Sequence, residues 1–513
     1  MRQTFSNTVS TGLTFVLGIA IGIWFTPFLV GRIGPESYGL VILSATVVSY
    51  AGPLAQSVST SILRELALAR GSGEPGAMHH AVRTGTRHSL RIAAILFAAL
   101  IPFSLAGPWL LGISTPFRSE ASGILFLTGL GFITWLLTAP FAAILYLANR
   151  LDLGNFAQAL QNVIRVLGAV ALLGLVSRNA LWVPVATLIG TLCGIGLIAA
   201  SSHSISRHWI KGAPSSAPFR QLGRIEAGVL IQGIAVMLLC SSELVVVNYL
   251  TDEANAGRYA ASIQIPVLIR AAMLSLTGLF GPRILTLYTE GDRLGARAAS
   301  ARAVKLIGLI AALPVAVVLA TAPIILRVWL GETFVPFSPI LALGMVAMMA
   351  FVGTMPLYVL TMAAGRVVVP SVIRTVTLVL YVALAVILFY TSNLGLTSIA
   401  AGLAVGISAC ELALMAPYSA RVSGGRWYTF LVPFLSVLLA LAIAYAASRL
   451  LLQLWVPATV FEVCLFGSAV GVVHAGAGLM LMGRSQFGDL MAVFRQGKLA
   501  ISTRAARATV RSE

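Results

Sequence analysis

The sequence predicts an all-α integral membrane protein of about fourteen transmembrane helices. Three observations carry this. Of the 513 residues 58% are hydrophobic and only 10% charged, where a soluble domain carries roughly 25% charge. The apolar residues fall in runs of about 20, the length a helix needs to cross a hydrocarbon core of roughly 30 Å. The runs lack period-2 alternation, so the backbone is satisfied within helices and not in a closed barrel.

The candidate spans lie near 9–31, 38–62, 89–112, 121–147, 155–176, 181–201, 226–249, 257–280, 303–326, 336–362, 367–391, 394–416, 428–450 and 456–482. The narrowest separations fall at Gly365–Arg366 and Asn393–Gly395, and joining both would give twelve spans. The first run has no small-residue cleavage pattern and many spans follow it, so it is expected to be a span and not a removed signal. Cys193, Cys240, Cys410 and Cys464 each lie inside an apolar run, far apart and without metal spacing, and are expected to be buried small hydrophobes.

An even number of spans puts both termini on one side of the membrane. The termini, the loops after even-numbered spans and the adjoining helix starts hold 27 of the 34 Lys and Arg residues. The other side holds Arg32, Arg118, Arg178, Arg258, Arg327 and Arg449, and Arg270 belongs to neither. By the positive-inside rule both termini are cytoplasmic. The net charge of +18 is therefore topological, and nucleic acid is not an expected partner. No loop is long enough for a soluble domain. The basic cytoplasmic tail, 483–513, is at most an interfacial amphipathic helix.

A faint repeat divides the chain. RIGPESYGL (32–40) leads through a turn to Tyr38, and TDEANAGRYAA (251–261) leads through a turn to Tyr259. Arg64 follows the first tyrosine and Arg283 the second at similar distances, so hairpins 1–2 and 7–8 read as counterparts in duplicated six-helix halves. The expected organisation is an N-terminal lobe (1–210), a C-terminal lobe (211–425), two extra helices (426–482) and the tail.

Polar residues inside spans mark candidate sites, because a guanidinium at bilayer depth costs between about 2.5 and 17 kcal/mol. Helix 8 carries Tyr259, Ser262, Pro266, Arg270 and Thr277 on one face, expected to be an opened helix facing a cavity. The alternative for Arg270 is a packing tie to a neighbouring carboxylate or carbonyl. Helix 5 carries Asn155, Gln158, Asn162 and Arg165 on one face; Arg165 turns inward or snorkels to the cytoplasmic interface. Arg374 in helix 11 has the same two choices. Glu243, Glu411 and Glu462 each partner an arginine, carry a coupling proton or sit in the interface, the last being the expectation for Glu411 and Glu462. Gln56 and Gln232 read as helix–helix glue, and His474 as a packed, hydrogen-bonded histidine. Arg64, Arg165, Arg270, Arg283 and Arg374 all lie at mid-membrane or nearer the cytoplasm, which suits an anionic substrate made there. No Gly-rich phosphate loop, HExxH motif or His/Cys cluster supports catalysis, so a transporter without cofactor or metal is expected, not an enzyme.

Three stretches resemble a known family. SNTVSTGLTFVLGIAIGIWFTPFLVGRIGPESYGLVIL, SSELVVVNYLTDEANAGRYAASIQI and ILRVWLGETFVPFSPILALG (325–344) are similar to the first hairpin, helices 7–8 and the helix 9–10 junction of polysaccharide exporters of the multidrug/oligosaccharidyl-lipid/polysaccharide (MOP) superfamily. The resemblance implies two MATE-like lobes around a central cavity that opens alternately to either side. It implies a bacterial inner-membrane flippase for an undecaprenyl-diphosphate-linked oligosaccharide, serving exopolysaccharide or O-antigen synthesis beside a polymerase and glycosyltransferases. Arg64, Arg165 and Arg270 match its cavity-facing basic pattern, joined as candidate substrate contacts by Gln158, Asn162, Tyr259 and Arg374. Glu243 stands where many relatives place an aspartate, a candidate for coupling to H⁺ or Na⁺. Fourteen spans are more similar to the lipid II flippase branch than to the usual twelve. The alternatives are a cation-coupled multidrug extruder of the same superfamily, a membrane-embedded glycosyltransferase or polymerase, and a scaffold of a secretion complex.

Overall fold

The computed structural model describes residues 2–72, 76–207 and 222–481. The tail 483–513, most of the loop 202–225 and the side chain of Gln232 lie outside the described residues. All regular structure among the described residues is helical. In chain order the helices are α1 (Arg2–Ser49), α2 (Gly52–Ser72), α3 (Ala77–Leu110), α4 (Arg118–Leu136), α5 (Ala139–Leu147), α6 (Leu151–Leu175), α7 (Trp182–Ser206), α8 (Leu222–Leu250), α9 (Glu253–Ser262), α10 (Gln264–Thr289), α11 (Arg293–Leu330), α12 (Ser338–Ala363), α13 (Val368–Thr391), α14 (Thr397–Cys410), α15 (Ala416–Val422), α16 (Leu431–Leu454) and α17 (Val460–Leu481).

Thirteen of the described helices are long and apolar enough to cross a membrane, which makes this a multi-pass membrane protein. Fourteen spans are expected from the sequence, and the difference lies in α1. Gly34, at φ 81° and ψ 162°, breaks that helix in a region open only to glycine, and Pro35 restarts it. Helix α1 therefore holds the first expected span and half of the second, which α2 completes. The separations at Gly365–Arg366 and Asn393–Gly395 are real breaks, with left-handed Gly365 and Gly395 in the connections.

Two compact units form. Among the described residues, the first falls within 1–268 and 367–406, the second within 269–366 and 407–481. In the first unit α2, α3, α4 and α5 pack Val58, Ile62, Leu66, Met78, Leu136 and Ile144 into one core. In the second, α11 packs against α16 and α17 through Ala316, Val317, Ala444, Phe466 and Val470.

The two repeat-like stretches meet inside the first unit. A Cβ at Gly39 would overlap the carbonyl oxygen of Glu253, and one at Gly257 would overlap that of Pro35. Each glycine thus faces the carbonyl four residues before the other, a reciprocal crossing that only two missing side chains permit. The turn before α9 is fastened as well. Asp252 caps α9 by accepting the Asn255 N–H at 2.7 Å. Asn248 donates to the Leu111 carbonyl at 2.8 Å, and the buried Glu253 carboxylate accepts the Ser114 N–H.

Candidate functional site

The polar face of α6 divides into three parts. Asn155 is a tether: its side-chain amide donates to Ser10 Oγ at 2.9 Å and Thr11 Oγ1 at 2.8 Å, tying the start of α6 to α1. Gln158 and Asn162 line a cavity of about 400 Å³ with Ser59, Trp135, Tyr146 and Gln161. Gln161 donates to Thr191 Oγ1 at 3.0 Å, held there because Gly190 lets α7 approach the α6 backbone. Gln158 and Asn162 have no hydrogen-bond partner among the described residues.

Arg165, one turn further along, lines a second cavity of about 240 Å³ with Thr26, Tyr38, Thr128, Thr187 and Gln264. It does not snorkel. Its guanidinium carbon lies 5.6 Å from the centroid of the Phe25 ring, and its Nε is buried without a hydrogen bond. A cation–π contact supplies about 0.5–2 kcal/mol, less than the cost of burying the charge, so the pocket is suited to an anion.

A second polar cluster of the same unit joins α8, α9 and α13. Glu243 is buried and accepts the Tyr259 hydroxyl at 3.2 Å, while the neighbouring Ser242 hydroxyl is hydrogen-bonded to the Tyr381 hydroxyl. Tyr259 and Tyr381 are wholly buried. A carboxylate among hydroxyls in an apolar surround can hold a proton or a small cation. Sequence reasoning missed Ser242 and Tyr381. Their one signal is that Tyr381 lies two turns beyond Arg374, itself buried, on the same face of α13.

The expected stripe on helix 8 is corrected by this packing. The helix breaks at Ile263, between α9 and α10, so Tyr259 and Ser262 no longer share a continuous face with Arg270. Tyr259 bonds to Glu243, and Ser262, also wholly buried, donates to the Arg258 carbonyl at 2.8 Å; neither lines either of the two cavities beside α6. Arg270 belongs to the second unit, half-buried and without a hydrogen bond or ion pair among the described residues, so no packing tie accounts for it. Arg64 and Arg283 are exposed, and Arg64 lines neither cavity.

In the second unit Glu411 also departs from expectation. It is fully buried, not interfacial, and accepts Thr354 Oγ1 at 2.6 Å and the Tyr358 hydroxyl at 2.8 Å. It opens a π-helical turn, Glu411–Met415, a distortion often found at functional sites. Glu462 instead builds a capping box at the start of α17, its N–H on Thr459 Oγ1 at 3.2 Å and its carboxylate on the Ala458 N–H at 2.9 Å. His474 is buried and hydrogen-bonded to the Leu309 carbonyl at 2.8 Å. Two of the four cysteines expected to be buried, Cys193 and Cys464, are exposed, each on a helix long and apolar enough to cross a membrane. No group of three or more His, Cys, Asp and Glu that could hold a metal occurs among the described residues.

No family model matches the chain. It is 25% identical over 449 residues to the uncharacterized membrane protein EpsK of Bacillus subtilis (strain 168), covering 87% of this chain and 89% of that protein. Among solved structures it is similar to the lipid II flippase MurJ in an inward closed conformation, with a TM-score of 0.66 at 15% identity over 91% of this chain and 97% of that one. A MATE family multidrug resistance transporter in its inward-facing conformation gives 0.62 at 16% identity, covering 84% and 95%. A MOP superfamily transporter from Pyrococcus furiosus, described by a binding pocket of reverse polarity, gives 0.56 at 16% identity, covering 86% and 96%. The fold is that of the MOP-superfamily transporters.

Proposed function

We propose that the protein is a flippase that moves an undecaprenyl-diphosphate-linked oligosaccharide from the cytoplasmic to the outer leaflet of the bacterial inner membrane by alternating access. Both termini face the cytoplasm, and the two lobes expected from the repeat provide the moving parts. The observation that carries the reading is Arg165, a half-buried cation whose Nε is fully buried, in a cavity with an aromatic ring beneath it and no anion beside it among the described residues. A diphosphate supplies what is missing. Its oxygens accept hydrogen bonds from the planar guanidinium in pairs, and each such bond is stronger in an apolar cavity than in water.

Arg270 in the second unit and the buried Arg374 are further candidate contacts for the same anion during transit, with Arg64 on α2 attracting it from the cytoplasmic side. Glu243, under the Tyr259 hydroxyl, is the candidate group for H⁺ or Na⁺ coupling. The likeness to MATE multidrug transporters favours a second reading, a cation-coupled drug extruder. The positive cavity opposes it, because a cationic drug would meet Arg165 with like charge.

The test is reconstitution into liposomes containing the lipid-linked oligosaccharide. Translocation by the wild type, and its loss in Arg165→Ala and Arg270→Ala, supports the flippase; extrusion of cationic dyes without lipid translocation supports the extruder.

A further inference from the structure

We propose that the cavity beside the anion pocket is a subsite for the first, uncharged sugar of the substrate. This rests on the diphosphate reading of Arg165. The argument is chemical. The cavity of about 400 Å³ is lined by no charged residue, although the chain places Arg165 one turn away on the same helix. Its polar lining is Ser59, Thr138, Gln158, Gln161 and Asn162, with Trp135 and Tyr146 at its lip. The size falls within the roughly 300–1,000 Å³ usual for small-ligand sites.

A side-chain amide offers two donors and an acceptor on one planar group. That matches a sugar hydroxyl, which both gives and receives a hydrogen bond, and matches an acetamido group in the same way. An anion would find no cation here, and a bare hydrocarbon chain lying over the exposed Gln158 and half-buried Asn162 would leave their amides without partners. Trp135 and Tyr146 are 44% and 57% exposed, free to lie against the apolar C–H face of a pyranose ring.

Position completes the argument. Asn162 precedes Arg165 by three residues, which is about 4.5 Å along the axis of α6. A diphosphate held by Arg165 therefore puts the sugar attached to it within reach of Asn162 and Gln158. Along α6 the order of groups is the order in the substrate. The amides would decide which sugar is accepted, and the arginine would hold the linkage common to every such lipid.

The experiment uses the full chain in nanodiscs and two probes: undecaprenyl diphosphate alone, and the same lipid carrying a single N-acetylhexosamine. The wild type should bind the sugar-bearing probe at least about ten-fold tighter. The double variant Gln158→Met with Asn162→Leu should lose that preference while binding the bare lipid as before, and Arg165→Gln should weaken both probes alike. Trp135→Leu, at an exposed position, carries the same test if the double variant does not purify folded. The subsite is overturned, and the diphosphate reading kept, if the wild type binds both probes equally or the preference survives in these variants. Failure of the wild type to bind either probe overturns both.

Discussion

Arg165 has a phenyl ring and hydroxyl-bearing side chains around it and no carboxylate. Its charge is costly until an anion arrives, and that sets the sign of two measurements. Arg165→Met should raise the melting temperature of the ligand-free protein, a gain of about 1 kcal/mol from removing an unpaired, half-buried cation. The same variant should lose translocation by roughly 30-fold or more, the effect of about 2 kcal/mol for one truncated charge pair. A variant that is both less stable and still active would mean that Arg165 serves packing. Arg165 was legible as a candidate because a guanidinium in an apolar run is visible in any sequence. Its direction was not, since snorkelling and turning inward share one spacing. Glu411 was misread for a related reason. Sequence places it near a helix end, and only the tertiary contacts with Thr354 and Tyr358 bury it. For Glu243, replacement by Gln should leave the protein folded and bound to substrate but insensitive to an imposed H⁺ or Na⁺ gradient, read as translocation with and without the gradient.

At the level of elements, α1 and α9 cross where neither Gly39 nor Gly257 can carry a side chain. Gly257→Val must push the Pro35 backbone away, an overpacking cost of about 1–3 kcal/mol. On the topology given by the basic residues this crossing lies at the outer face. We expect Gly257→Val to slow translocation and to expose a Ser37→Cys reporter to a membrane-impermeant maleimide added outside. Unchanged labelling with unchanged transport would show that the crossing does not gate the outer side. The Gly–Tyr starts of the two stretches were visible in the sequence, but the reciprocal fit between them was not. A glycine's reason for being small lies in the chain opposite, and spacing does not reveal it. The break of helix 8 at Ile263 was hidden in the same way. Pro266 announced a weakened ladder, yet the turn forms three residues earlier, where Tyr259 and Ser262 are held by their buried contacts.

For the whole molecule, composition decided most of what could be decided. Apolar runs of membrane-crossing length fix an all-helical bilayer protein, and the likeness to MurJ and MATE structures follows that architecture. On the orientation expected from the asymmetry of the basic residues, a cysteine placed at Arg207 should react with an impermeant maleimide only after the cytoplasmic side is opened; reaction in intact cells would invert the topology. What composition cannot convey is which polar residues converge. Five arginines lie at mid-membrane or nearer the cytoplasm on this topology, yet of them only Arg165 lines either of the two cavities beside α6. The central claim is that this cavity takes a diphosphate on its way across the membrane. It is tested most directly by translocation in proteoliposomes of two lipids that differ only in carrying a diphosphate or an uncharged linkage to the same oligosaccharide. The account predicts movement of the diphosphate lipid by the wild type, little of the uncharged one, and no discrimination by Arg165→Ala. Equal transport of both lipids by the wild type would contradict it.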